Sequence, residues 1–252
     1  MATKEVSVRL LIVTFCLALI SCSTPRPAGK TEAEVLFKEA EDLIKESRYI
    51  LATEKLNTLR SQYPYSFYAT HAELLQADIL FKQESYVEAA AAYILFKDFH
   101  PKHQKKTYVI WKIAESFYAQ IPDTFDRDLS AAHEAIKYYQ ELLNFHGKSE
   151  FTEGALEKIK MAQNMVLDKE KYIGDFYFKT DVFDAARYRY LSIIDNFKNS
   201  PDLLAHSMIR VVESSNKLKD KDGCTKYFNQ FKEVIEQAQL AKLQSVYDNC
   251  LR

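Results

Sequence analysis

Glycine and proline are scarce in this sequence, five and six in 252 residues. Such scarcity excludes the many tight turns of an all-β protein and leaves long helices. The glycines are also scattered, so no phosphate-cradling loop can be assembled from them. An excess of charge of either sign is missing too: 34 basic residues stand against 35 acidic ones, with no block of like charges. A nucleic-acid partner is therefore not expected, because a phosphate backbone needs a clustered basic face. Constellations for chemistry are equally thin. His133-Glu134 opens a zinc-protease helix pattern, but Lys137 occupies the place of its second histidine. His100 and His103 flank Pro101 without further ligands, which is at most half a metal site. No serine stands in a nucleophile elbow. Neither catalysis nor a cofactor is expected.

The one long hydrophobic run is short. Leu10 to Ile20 follows Lys4 and Arg9, and its length falls below the roughly 20 residues that cross a bilayer. A basic start with a short apolar core reads as a secretory signal, here residues 1–21, and is set aside from the fold. The run ends Leu19-Ile20-Ser21-Cys22, which resembles the lipobox of bacterial lipoproteins. That resemblance implies cleavage before Cys22 and its lipidation, with acyl chains that anchor the mature chain in a membrane. Ser23 is not the aspartate that favours inner-membrane retention, so the periplasmic face of the outer membrane is expected. Residues 22–30, with Pro25, Pro27 and Gly29, read as a lipidated tether. Cys16 leaves with the signal, so Cys224 and Cys250 remain. An oxidising envelope permits a bridge between them, but Cys224 falls at a core position, and plain burial is the favoured reading.

From residue 31 onward the sequence repeats. Four segments end alike, at Tyr63-Pro64-Tyr65-Ser66, His100-Pro101-Lys102-His103, His146-Gly147-Lys148-Ser149 and Phe197-Lys198-Asn199-Ser200. Twelve residues before the second position of each stands an alanine: Ala52, Ala89, Ala135 and Ala186. A further twelve residues upstream, where no insertion intervenes, stands another small residue: Ala40, Ala77 and Gly174. Large residues follow the second alanine at fixed offsets: Leu56, Tyr93, Tyr139 and Tyr190, then Leu59, Phe96, Leu142 and Ile193. Two helices cross closely only where a small side chain admits a backbone and large neighbours fill the gaps. The pattern resembles the tetratricopeptide repeat, a helix–turn–helix unit ended by proline. It implies an all-α, right-handed α-solenoid over residues 31–252. Five helix pairs are expected at 33–66, 70–103, 107–149, 167–200 and 205–235. A connecting helix is placed at 150–166 and a capping helix at 235–251, since a terminal repeat must hide its apolar face. The fifth unit is the weakest, with Val212 and Cys224 at its small positions. Lys198, where a proline or glycine would stop a helix, weakens the end of the fourth.

First helices of such repeats line a groove. The residue after the first small position is acidic in every unit: Glu41, Asp78, Glu115, Asp175 and Glu213. Three residues on stand Ile44, Phe81, Tyr118 and Phe178 in four of the units, on the same helical face. A row of acids beside large apolar groups suits an extended or helical peptide carrying aromatics and some positive charge. The alternative is that the aromatics are core and the acids a solvated edge.

The first unit ends Tyr63-Pro64-Tyr65-Ser66-Phe67-Tyr68, and the third has an enlarged turn closing Asp126-Arg127-Asp128. Together with the lipobox, these resemble the BamD family of outer-membrane β-barrel assembly lipoproteins. That resemblance implies a non-enzymatic scaffold whose C-terminal repeats dock on a POTRA-bearing barrel subunit, beside accessory lipoproteins. It also implies that N-terminal repeats receive the C-terminal segments of unfolded outer-membrane proteins. The residues implied to form the client groove are Phe37, Glu41, Ile44, Leu74, Asp78 and Phe81, continued by Glu115 and Tyr118. A pilotin-type lipoprotein for secretin or pilus assembly, or a cell-wall adaptor, shares the fold and stays open.

Overall fold

The computed structural model describes residues 28–197 and 200–252. The signal, Cys22 and Lys198 lie outside those residues. Among them, eleven helices and no strand are found. The chain divides into two compact units, the first running to Ala92 and the second from Tyr93 to Arg252.

The first unit contains α1 (Glu32–Lys45), α2 (Tyr49–Gln62) and α3 (Phe67–Lys82), and the boundary falls within α4 (Tyr86–Phe99). Local chemistry starts two of these helices. Thr31 and Ser66 accept from the amides of Glu34 (3.2 Å) and Ala69 (3.1 Å), each capping one otherwise unpaired helix donor. Glu32 and Glu34 add negative charge to the first turn of α1, where the helix dipole favours it. Ala40 and Ala52 are fully buried at the crossing of α1 and α2, and Leu56 and Leu59 close over them with Leu36, Ala72 and Ile79. The small residues and their large neighbours thus stand where the repeat pattern requires.

The second unit holds α5 (Lys106–Tyr118), α6 (Ser130–His146), α7 (Thr152–Lys179), α8 (Phe183–Asn196), α9 (Pro201–Lys217), α10 (Lys221–Phe231) and α11 (Gln237–Leu251). Consecutive helices pack on one another, and α11 covers both α9 and α10. The expected connecting helix at 150–166 is corrected: it and the first helix of the fourth pair are one helix of 28 residues. Leu167-Asp168-Lys169-Glu170-Lys171 contains only helix-compatible residues, so nothing ends the helix there. The enlarged turn between α5 and α6 folds down onto this helix. Its Phe125 ring lies 5.6 Å from that of Tyr172, and Lys169 Nζ donates to the Arg127 carbonyl.

The tight turns within the pairs share one device that the residue types conceal. Ser47, Glu84, Asp181 and Lys219 all have φ near +60°. Each lies seven residues after the first small position, at Ala40, Ala77, Gly174 and Val212. In each turn the next amide reaches back to the carbonyl five residues earlier, as in Arg48 N to Leu43 O (2.8 Å) and Asp220 N to Ser215 O (3.0 Å). This closes the orphan carbonyls of the first helix with a left-handed residue that is usually glycine. The fifth pair therefore turns like the first, second and fourth, although Val212 and Cys224 stand at its small positions.

Plain burial of Cys224 is also corrected. Cys224 is buried, and it is disulfide-bonded to Cys250 across a Cα–Cα distance of 6.5 Å. The bridge ties the second small position of the fifth pair to the capping helix, because α11 packs over that crossing.

Candidate peptide-binding faces

The acids on the first helices do two different things. In the second unit they are held. Glu115 accepts from the Tyr139 hydroxyl at 2.6 Å and from Lys158 Nζ at 2.6 and 2.7 Å. That ammonium also lies 5.3 Å from the Trp111 ring centre and 5.0 Å from that of Tyr118, within cation–π range. Trp111 stacks on Phe151 at 5.1 Å, and a Cβ on Gly154 would meet Trp111 at 3.0 Å, so glycine keeps this crossing tight. Asp175 repeats the scheme with other partners. It accepts from the Tyr190 hydroxyl at 2.6 Å and from Lys171 at 2.8 Å, and His206 Nε2 lies 3.1 Å away. Glu213 pairs with Arg210 at 2.9 Å, whose guanidinium carbon lies 4.2 Å from the Phe178 ring centre.

The electrostatics follow. Burial alone would raise the Asp175 carboxyl, but bonds from Lys171, Tyr190 and His206 outweigh it and hold the pKa at about 2. Burial, then the bonded carboxylate, pushes the Tyr139 and Tyr190 hydroxyls well above the ordinary tyrosine value, so both stay proton donors. These acids are acceptors for buried tyrosines and are already charge-matched. The signal for this was present in the sequence, since tyrosine stands four residues after the second alanine in both pairs.

In the first unit Glu41 is exposed and Leu56 occupies the corresponding place, so no hydroxyl reaches the acid. Ile44 and Phe37 are half-buried beside it, and the Phe37 ring packs on Tyr68 at 5.5 Å. Asp78 and Phe81 are also half-buried, with the Phe81 ring 5.3 Å from Tyr86. Leu74 is corrected: at 2% exposure it is a packing residue and presents nothing to a ligand. Tyr118 is half-buried over Lys158. His100 and His103 pack around the Phe96 ring at 4.7 and 5.0 Å. Sequence reasoning did not find Lys158, Trp111, Phe151 or His206, because their partners are 31 to 43 residues away or lie across a helix crossing.

Helix pairs with small residues at each crossing, left-handed turns at a fixed offset and a stapled cap define a tetratricopeptide-type repeat protein. The description "YfiO: Outer membrane lipoprotein" matches residues 30–231, and the chain belongs to that family. It is 27% identical to the outer membrane protein assembly factor BamD of Rickettsia prowazekii, over 89% of this chain and 88% of that one. To the BamD of Caulobacter vibrioides it is 23% identical, over 80% and 69% respectively. Among solved structures it is similar to the P58(IPK) TPR domain at 13% identity and a TM-score of 0.43, over 87% of this chain and 58% of that one. No helix of the described residues is long and apolar enough to cross a membrane.

Proposed function

We propose that this protein is a non-enzymatic assembly factor for outer-membrane β-barrel proteins, anchored to the periplasmic face of the outer membrane through acylated Cys22. The observation that carries the reading is the family match, which spans every repeat from the tether to α10. The fold supports it, because stacked helix pairs offer extended faces for protein partners. The second unit docks on a POTRA-bearing barrel subunit, alongside accessory lipoproteins. The first unit receives C-terminal segments of unfolded clients on the face that carries Phe37, Ile44 and Phe81 with Glu41 and Asp78. Client recognition is assigned to the first unit because Glu41 is exposed there, whereas Glu115 and Asp175 are occupied by internal partners.

The test is co-purification of the tagged, lipidated protein from gently solubilised envelopes, followed by mass spectrometry. Recovery of a POTRA-bearing barrel protein in near-equal amount is the expected result. Recovery of a secretin or a cell-wall enzyme without such a barrel overturns the assembly role and favours a pilotin-type adaptor.

A further inference from the structure

The first unit carries an exposed aromatic edge that its packing leaves unexplained. Tyr65 is fully exposed and Phe67 is 71% exposed, on either side of the Ser66 cap. Phe67 packs at a tilt on His71 at 4.1 Å and lies 5.6 Å from Tyr68, which in turn contacts Phe37. Apolar rings that face solvent in a cluster mark a surface with something to cover it.

The direction of the helices says which surface this is. Chain direction reverses at each short turn, so the start of α1 and the α2–α3 turn lie at one end of the unit. The α1–α2 turn, with Ile50 just beyond it, lies at the other end, about 20 Å away along a helix of this length. The tether arrives at the aromatic end. Lys38 Nζ donates to the Ala28 carbonyl at 2.9 Å and pairs with Glu34 at 2.9 Å, which pins Ala28 beside the first two turns of α1. Lys38 is the neighbour in sequence of Phe37, the residue packed on Tyr68. Only five residues lie between Cys22 and Ala28, and the six steps from one to the other reach at most about 20 Å when fully extended. Between Ser23 and Lys30 the tether carries Arg26 and Lys30 and no acid.

We propose that Tyr65 and Phe67 dock into the phospholipid interface beside the acyl anchor, so that the first unit meets the bilayer with its α2–α3 turn. The proposal rests on acylation of Cys22. A tyrosine ring suits the headgroup boundary, where one edge is apolar and the other wet, and a phenylalanine ring suits the acyl side of that boundary. Lys30, the last residue of the tether, adds a cation for anionic headgroups. A single short tether with one aromatic contact fixes which end of the unit faces the membrane, which a lipid chain alone does not.

The test uses the lipidated full-length protein at one copy per nanodisc of phosphatidylethanolamine and phosphatidylglycerol. Cys22 is acylated and Cys224 is bonded to Cys250, so Q62C or I50C supplies the reactive thiol for a nitroxide label while leaving Tyr65 and Phe67 in place. Both sites are exposed, and neither substitution removes packing. Power-saturation measurements should show the label at 62, beside the α2–α3 turn, at least threefold more accessible to oxygen than to a water-soluble nickel chelate. The label at 50 should favour the nickel chelate. A label at 62 as water-accessible as the one at 50, on protein whose mass shows the acyl chains, overturns the docking and leaves the lipoprotein reading intact. A label at 62 shielded from both reagents assigns the edge to protein contacts and also overturns it. Absence of acyl mass on Cys22 overturns the anchor and the docking together.

Discussion

The two units use the same repeat positions with different chemistry. In the first, Leu56 closes over Ala40 and Ala52, and the acid beside them, Glu41, faces water. In the second, the residues at that place in the third and fourth pairs are Tyr139 and Tyr190, and each directs its hydroxyl to the acid of the preceding helix. A tyrosine at a buried crossing needs a partner for its oxygen, and the acid one turn along the neighbouring helix is the group within reach. One residue choice thus converts a solvated acid into a structural one. The comparison also separates where partners are accommodated. The first unit keeps Glu41 exposed and several rings half-buried, while the second satisfies Glu115, Asp175 and Glu213 internally and staples its end.

The comparison can be broken most severely through the apolar crossing. L56A should cost about 4 kcal/mol, lost burial plus a cavity in a site with little room to collapse. Urea unfolding followed by circular dichroism reads the loss, and amide exchange should accelerate in α1–α3. Next is the staple. C250S should destabilise by about 3 kcal/mol, since a loop of 26 residues is no longer closed in the unfolded chain. Its signature is loss of exchange protection in α10 and α11, and reduction of the unmodified protein should reproduce it. Third is the tyrosine–acid pair. Y190F should cost about 2 kcal/mol, because a bond to a partly buried carboxylate is lost, whereas E41A should change stability by less than about 0.5 kcal/mol. Equal costs for the two would erase the distinction between the units.

The smallest effect is in pH. Asp175 is held at about 2, below its ordinary 3.8. A carboxyl lowered by folding contributes fully above 3.8, and that contribution is lost as pH falls through the folded-state value of about 2. The stability of the unmodified protein should therefore fall between pH 4 and 2 more steeply than that of D175N. Parallel pH dependences would mean that Lys171, Tyr190 and His206 do not favour the charged form.

Much of the fold was legible in the residues alone. Alanine at both crossing positions, followed by a large residue at each of two fixed offsets, admits few arrangements other than stacked helix pairs, because only small residues let helices approach. The long helix Thr152–Lys179 was not legible as one piece. Repeat spacing inserts a boundary at 166, and no residue there enforces it. The left-handed turns were hidden for the opposite reason. Ser47, Glu84, Asp181 and Lys219 are ordinary residues, and only the back-bonded turn drives them to positive φ. Of the candidate face, spacing placed the acids and rings on the first helices, and the resemblance added Leu74, which the structure buries, because a position one helical turn before the acid points equally at a groove or a core.

Periodicity and small-residue placement are one-dimensional facts, and by themselves they determined the helix pairs, their order and the capping helix. The proposed lipidation of Cys22 is read equally locally, since the lipobox that the sequence resembles there is defined by adjacent residues. Which distant side chains complete the surroundings of each acid was decided only in three dimensions, because Lys158 reaches Glu115 from 43 residues away and His206 reaches Asp175 from 31. The pairing of Cys224 with Cys250 was likewise settled by packing: the capping helix brings two buried thiols together, and nothing in the spacing of two cysteines requires that it should.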